Sequence, residues 1–165
     1  MGKNKLAKKP RGTLYLVRHA KAGERRSWKG DDRGRPLSKR GLRQAKRLVG
    51  ALGGHSIDRL LTSPYVRCRQ TLEPIAKNRG LTIEERPELE EHIPIDGALQ
   101  LVKDLAGSSA LLCSHGDVIP ALIDRLQQEG MEVSGPTDTK KGSVWVIKTQ
   151  GGRLVRADYL PPPRT

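Results

Sequence analysis

The strongest constraint on the fold is an alternation. Short, β-favouring apolar runs take turns with longer stretches whose apolar residues recur at helical spacing. The runs Thr13–Val17, Arg59–Thr62, Leu81–Glu84 and Ala110–Ser114 read as strands. Between them, Ser38 stands where it can cap a helix whose apolar stripe is Leu42, Ala45, Leu48, Val49 and Leu52, closed by Gly53-Gly54. The pattern predicts a second helix over Val66–Asn78, turning Thr71, Leu72, Ile75 and Ala76 inward and stopping at Gly80. Ala98, Leu101, Val102 and Leu105 have the spacing of a third amphipathic helix. Asp117–Gln128 reads as a fourth, with Pro120 tolerated in its first turn. Ser143–Lys148 and Leu154–Tyr159, joined through Gln150-Gly151-Gly152, read as a closing hairpin. The expected fold is α/β: a single open, mostly parallel sheet of about six strands, with helices on both faces and a C-terminal hairpin. Such sheets bind ligands beyond the carboxyl ends of their strands, so polar residues just after apolar runs are where chemistry is to be sought.

A chain of 165 residues suits one domain. The expected division is a flexible basic tail over 1–12, a folded domain over 13–160 and a short proline-rich tail over 161–165. Only five aromatic residues, none of them Phe, are available to the core, which must be built from Leu, Ile, Val and Ala. No apolar run approaches the ~18 residues of a membrane span, and the first residues lack the apolar segment of a secretory signal. Two cysteines make no disulfide scaffold, and no Cys/His spacing suggests a structural zinc. The expectation is a soluble cytoplasmic protein that contacts no membrane.

The net charge of +13 invites a nucleic-acid reading, so its distribution matters. Five basic residues and no acids fall in the first eleven positions, and residues 18–47 hold twelve basic residues against three acids. Residues 82–96 invert the balance, with six acids and one Arg.

Three strand ends carry candidate chemistry. The first strand ends in Leu16-Val17-Arg18-His19-Ala20. The second ends in Thr62-Ser63-Pro64-Tyr65 and runs into Val66-Arg67-Cys68-Arg69-Gln70-Thr71. The fourth ends in Cys113-Ser114-His115-Gly116-Asp117 at a helix start. Taken singly, each is an ordinary polar turn or helix opening. If the sheet is parallel, all three emerge at one edge and bring Arg18, His19, Arg67 and His115 to one pocket. Two guanidinium forks match phosphoryl oxygens bidentately, and a helix N-terminus beside His115 adds backbone donors. One imidazole can then attack phosphorus while the other steadies charge on the oxygens.

Leu16-Val17-Arg18-His19-Ala20, Ser63 to Thr71 and Ser114-His115-Gly116 together resemble the histidine phosphatase superfamily, the phosphoglycerate mutase-like fold. Asp31 to Gly41 is similar to a segment of the small SixA-type phosphohistidine phosphatases. Lys141 to Val146 is similar to the phosphatase-like half of certain two-domain MutT/Nudix proteins, whose Nudix half this chain lacks. The likeness runs from about Thr13 to Tyr159. It implies a covalent phosphohistidine on His19, with Arg18, Arg67 and His115 binding the phosphoryl group, and neither metal nor cofactor. It also implies a proton donor in an L-x-E segment, here Leu89-Glu90-Glu91, which makes Glu91 the candidate; Glu84, Glu85, Glu88, Glu90 and Glu91 equally read as a solvated acidic loop. Ala20 departs from the family's usual Gly, which is tolerable where φ is negative.

The remaining candidates are plainer. His55 and His92 are expected in loops facing solvent, Cys68 packed on its helix and Cys113 as a small buried residue. Trp28 in the basic loop either covers the pocket or packs on the surface. The expected partner is a phosphorylated substrate: a phosphohistidine protein, a nucleotide or dinucleotide polyphosphate, or a small metabolite. A nucleic-acid-binding module is the competing class, and the shortage of aromatics for base stacking counts against it. A catalytically dead scaffold ranks last, because all four pocket residues are intact.

Overall fold

A computed structural model describes residues 12–135 and 138–164. The expected basic tail lies outside these residues except for Gly12, whose N–H and carbonyl both bond the Thr149 hydroxyl. The strands are β1 (Thr13–Arg18), β2 (Arg59–Thr62), β3 (Ile83–Glu85), β4 (Ala110–Ser114), β5 (Glu132–Ser134), β6 (Val144–Gln150) and β7 (Arg153–Leu160). The helices are α1 (Lys39–Ala51), α2 (Val66–Arg79), α3 (Asp96–Asp104) and α4 (Val118–Gln128). Single 3-10 turns over Asp32–Gly34 and Pro87–Leu89 interrupt two loops that showed no regular pattern in the sequence.

The strands form one sheet in the order β3-β2-β4-β1-β6-β7-β5. β3, β2, β4 and β1 run parallel, and β6 enters antiparallel as the first arm of the expected hairpin. The seventh strand, β5, was absent from the sequence expectation. It pairs only with β7 at the sheet edge, and three residues reading Glu-Val-Ser give no apolar run to detect.

Each face of the sheet is covered by a helix pair. Leu48 of α1, Leu52 just after it, and Cys68, Leu72 and Ile75 of α2 pack with Tyr15, Val17, Leu60, Leu111 and Cys113. On the opposite face, Leu101 and Val102 of α3 and Ile119, Leu122 and Ile123 of α4 pack with Leu14, Leu16, Leu61 and Leu112. This alternation along β1 and β4 is the two-residue period of a strand buried on both sides.

Leu42 corrects the expected stripe of α1: it is 42% exposed. The buried face runs instead through Gly41, Gln44, Ala45 and Leu48, and Leu42 lies roughly 100° around the helix from Gly41. Gly41 takes the inward place because the first turn of α1 rests on the Lys21 carbonyl. A Cβ there would fall 1.9 Å from that oxygen. Ser38 caps the helix as expected, accepting the Gly41 N–H at 3.1 Å.

Register sets the position of the site. Arg18 lies opposite Ser114, and Cys113 lies opposite both Val17 and Thr62. The carboxyl ends of β1, β2 and β4 therefore fall nearly level, and the residues that follow them converge.

Candidate active site

A cavity of about 190 Å³ opens at this edge, lined by Arg18, His19, Arg67, Glu91, His92 and Lys141 among others. His115 is fully buried beneath it, its ring edge-on to His19 with centroids 5.5 Å apart. All five residues singled out in the sequence are thus in one place.

His19 is held by its backbone and by one ring nitrogen. Its N–H bonds the Ser114 carbonyl across the β1–β4 pair at 3.1 Å. Its Nδ1 donates to the Ala20 carbonyl at 2.8 Å. A carbonyl only accepts, so the ring hydrogen sits on Nδ1 and Nε2 keeps its lone pair. Burial, with the positive charges of Arg67, Arg18 and Lys141 and against the Ala20 bond, pushes its pKa down to about 3. The ring is neutral at neutral pH, with the Nε2 lone pair free. Ala20 fits where a glycine is usual: only His92 among the described non-glycine residues has positive φ, and the Ala20 methyl packs against Leu37 and Ala45.

His115 is held from the other side. Its Nε2 lies 2.8 Å from the Ser63 hydroxyl, which already accepts the Tyr65 N–H and has its own proton to donate. Where Ser63 gives that proton to Nε2, the ring hydrogen is on Nδ1, 3.5 Å from Glu91 Oε2. Burial, followed by the neighbouring His19 and Arg67, pushes its pKa down to about 2.

The arginines are anchored at one end. Arg18 Nη1 donates to the Thr139 carbonyl at 2.7 Å, and its guanidinium lies flat against Gly116, where a Cβ would come within 2.6 Å of Cζ. Arg67 donates to the Asp32 carbonyl and carboxylate at 2.8 and 2.9 Å and to Glu91 at 2.6 Å. Three buried side-chain atoms have no hydrogen-bond partner among the described residues: Arg18 Nε, Arg67 Nε and His115 Nδ1. Arg18 and Arg67 line the cavity and His115 lies beneath it, and a buried donor left unpaired costs about 1–3 kcal/mol. A phosphoryl group, with three acceptor oxygens, matches that donor set.

Glu91 separates from its acidic neighbours by geometry. Glu84 pairs with Arg59, Glu85 with Arg69, Glu88 with Arg86 and Glu90 with Arg33, all at partly or well exposed positions. Glu91 alone of the five turns inward, its side chain 10% exposed. Two bonds brace its segment: Ser114 Oγ donates to the Leu89 carbonyl at 2.7 Å, and the His92 N–H donates to Asp117 at 2.9 Å. His92 holds a left-handed φ of 64° there, a costly geometry for a non-glycine residue that marks a constrained rim.

Several residues of this edge were not singled out in the sequence. Asp32 grips Arg67 and also Arg35, at 2.8 Å. Burial alone would raise its pKa, but the bonds from Arg35 and Arg67 outweigh it and hold the carboxyl at about 2. Thr71 accepts the Ala20 N–H at 3.0 Å and donates to the Arg67 carbonyl, tying both motifs together. An acid beside alternating arginines was the available signal for Asp32; Thr71 had none beyond its place on the inner face of α2.

The plainer candidates fall as follows. His92 is exposed, as expected, but stands at the mouth of the cavity. His55 is half-buried, 3.3 Å from the Tyr15 hydroxyl, rather than facing solvent. Trp28 bonds the Asp31 carbonyl within its own loop and does not line the cavity. Burial and the adjacent Cys68 raise the Cys113 thiol well above its ordinary range, which leaves it inert. Among the described residues, no three His, Cys, Asp or Glu side chains are grouped to share a metal ion, and no helix is long and apolar enough to cross a membrane.

Comparison with known proteins gives four findings. Residues 14–93 match the model of the histidine phosphatase superfamily (branch 1). The chain is 40% identical over 156 residues to an 8-oxo-(d)GTP phosphatase of Mycolicibacterium smegmatis, covering 92% of this chain but 48% of that relative, so it spans about half that protein's length. It is 28% identical over 127 residues to a phosphohistidine phosphatase SixA homolog of Haemophilus influenzae, covering 68% of this chain and 76% of the other. Among solved structures, the protein histidine phosphatase SixA complexed with tungstate superposes with a TM-score of 0.70 at 21% identity, covering 92% of this chain and 96% of that one, a likeness of fold.

Proposed function

The chain belongs to the histidine phosphatase superfamily, and from that premise we propose that it is a phosphatase acting through a covalent phosphohistidine on His19. The observation that carries the reading is the fixed tautomer of His19, with Nδ1–H on the Ala20 carbonyl and Nε2 facing the pocket beside three donors that lack partners. In the first step the Nε2 lone pair forms a bond to phosphorus while the bond to the leaving group breaks. Arg18, Arg67 and His115 hold the three phosphoryl oxygens as their charge develops. Glu91 supplies the proton to a leaving oxygen and regains one in the second step. In the second step water attacks phosphorus, Glu91 takes its proton, and Nε2 leaves with its lone pair restored. No step calls on a metal.

A protein phosphohistidine is the first substrate reading, supported by the similarity to SixA homologues over most of both chains. A nucleotide or dinucleotide polyphosphate is the second, supported by the 8-oxo-(d)GTP phosphatase relative and by Arg25, Arg35 and Lys141 around the catalytic cavity. We place the protein in the cytoplasm. The mechanism is tested by brief reaction with a labelled phosphodonor, acid-free quenching and detection of protein-bound phosphate. Wild type should carry label that acid removes, and His19→Ala should carry none. Equal labelling of both would refute the assignment.

A further inference from the structure

A second cleft, of about 640 Å³, adjoins the catalytic cavity and shares Lys141 with it. Its wall holds five cations, Lys21, Arg40, Lys140, Lys141 and Arg164, and no carboxylate or aromatic side chain. Elsewhere on the protein, several surface arginines are neutralised: Arg33 by Glu90, Arg59 by Glu84, Arg69 by Glu85 and Arg156 by Asp158. Arg26, Arg43 and Arg47 are exposed without such a pair among the described residues, so what sets the five cations apart is that they share one cleft. None of the five has a carboxylate within ion-pair distance among the described residues.

The wall is also fixed in place. The buried Gln44 accepts the Lys21 N–H at 2.9 Å and donates to the Lys141 carbonyl at 3.3 Å, bridging two segments that are far apart in sequence. The Ser38 N–H bonds the Lys21 carbonyl at 3.0 Å. Lys141 is drawn into this crowd although burial and then Arg18, Arg35, Lys21 and Arg25 all depress its pKa. Cations held together without counter-charge are repulsive, so the arrangement favours binding an anion with several charges.

We propose that this cleft is a second anion subsite, and that it takes the additional phosphate groups of a polyphosphorylated small molecule whose terminal phosphate is offered to His19. The inference rests on the phosphatase reading and names a substrate class for it. Lys141, at the junction, bridges the two positions. The absence of aromatic side chains from the wall removes base stacking, the usual grip on a single-stranded polynucleotide. A substrate carrying one phosphate fills the catalytic cavity and leaves this cleft unused.

The test uses Arg40→Ala with Lys140→Ala, and Lys140→Glu as a second variant; neither residue lines the catalytic cavity. Inorganic tripolyphosphate and orthophosphate are measured as competitive inhibitors of p-nitrophenyl phosphate hydrolysis. In wild type, tripolyphosphate should bind more tightly than orthophosphate. The double variant should weaken tripolyphosphate by about tenfold or more, the scale of losing charge-assisted contacts to phosphate. Orthophosphate inhibition and kcat/KM for p-nitrophenyl phosphate should stay within about twofold. Lys140→Glu should weaken tripolyphosphate selectively as well. Equal weakening of both inhibitors, no weakening of either, or no preference for tripolyphosphate in wild type would overturn the subsite. If p-nitrophenyl phosphate turnover still labels His19 in that event, the phosphatase reading stands while the subsite falls.

Discussion

Gly116→Ala isolates one contact of the site. A Cβ added there would lie 2.6 Å from Arg18 Cζ, 2.7 Å from Nη2 and 2.8 Å from Nε. Carbon contacts relax only at roughly 3.5 Å, so the guanidinium must retreat by about 1 Å. It cannot swing freely, because Nη1 is anchored to the Thr139 carbonyl at 2.7 Å. The retreat shifts Nε, one of the three unpaired donors. Losing a hydrogen bond from a charged group costs about 1.5–3 kcal/mol, or roughly 10- to 150-fold in kcat/KM. A misplacement of about 1 Å independently suggests a loss on the order of 100-fold. The assay is steady-state hydrolysis of p-nitrophenyl phosphate by wild type, Gly116→Ala, Arg18→Ala and the double variant, with circular dichroism and thermal melts to establish folding. Since both changes act through one guanidinium, the double variant should be little worse than Arg18→Ala alone. Full additivity, or a Gly116→Ala enzyme within about twofold of wild type, would refute the contact's role.

Three further predictions concern charge. With His19 and His115 held at about 3 and about 2, well below the ordinary ~6.5, both rings are neutral in the folded protein through pH 5, and their resonances should not shift between pH 8 and 5; titration near 6.5 would contradict the burial argument. Because the folded values lie below the unfolded one, the associated stability is complete above pH ~6.5 and is lost as pH falls toward 3, which urea melts across that range would show. Asp32→Asn should lower kcat/KM by about tenfold, since the amide carries no charge to hold Arg67 and Arg35. The stability gap between wild type and this variant should close as pH falls from ~4 toward 2, where the native carboxylate takes its proton; a gap unchanged at pH 3 would count against the pairing. Glu91→Gln should depress kcat/KM, which reports the first step alone, for an alkyl phosphate, whose alkoxide needs a proton, far more than for p-nitrophenyl phosphate, whose leaving group does not. Equal loss on both substrates would remove Glu91 as the proton donor.

The parts of this protein legible in its sequence are those whose cause is local. Arg18-His19 and His115-Gly116 follow strands recognisable by their own apolar residues, and Arg67 opens a helix with a clear stripe and a glycine stop. Once a parallel sheet is inferred, their meeting follows from topology. What was missed depends on distant partners. Asp32 acts on Arg67, 35 residues on, and its own neighbourhood shows only a short turn. Leu42 reads as core because it is apolar, yet the inward places on α1 go to Gly41, which is needed against the Lys21 carbonyl, and to Gln44, which joins Lys21 to Lys141. Glu90 and Glu91 are indistinguishable as letters. Their difference is made by Arg33, which draws Glu90 outward, and by Arg67, which draws Glu91 inward. The charge excess follows the same rule. As a sum, +13 fits a nucleic-acid partner as well as a phosphorylated one. Resolved by position, some arginines line the cavity beside His19 and others neutralise surface acids, while Lys21, Arg40, Lys140, Lys141 and Arg164 share a concave wall with no acid. That last arrangement comes from both ends of the chain, so no window of sequence could contain it.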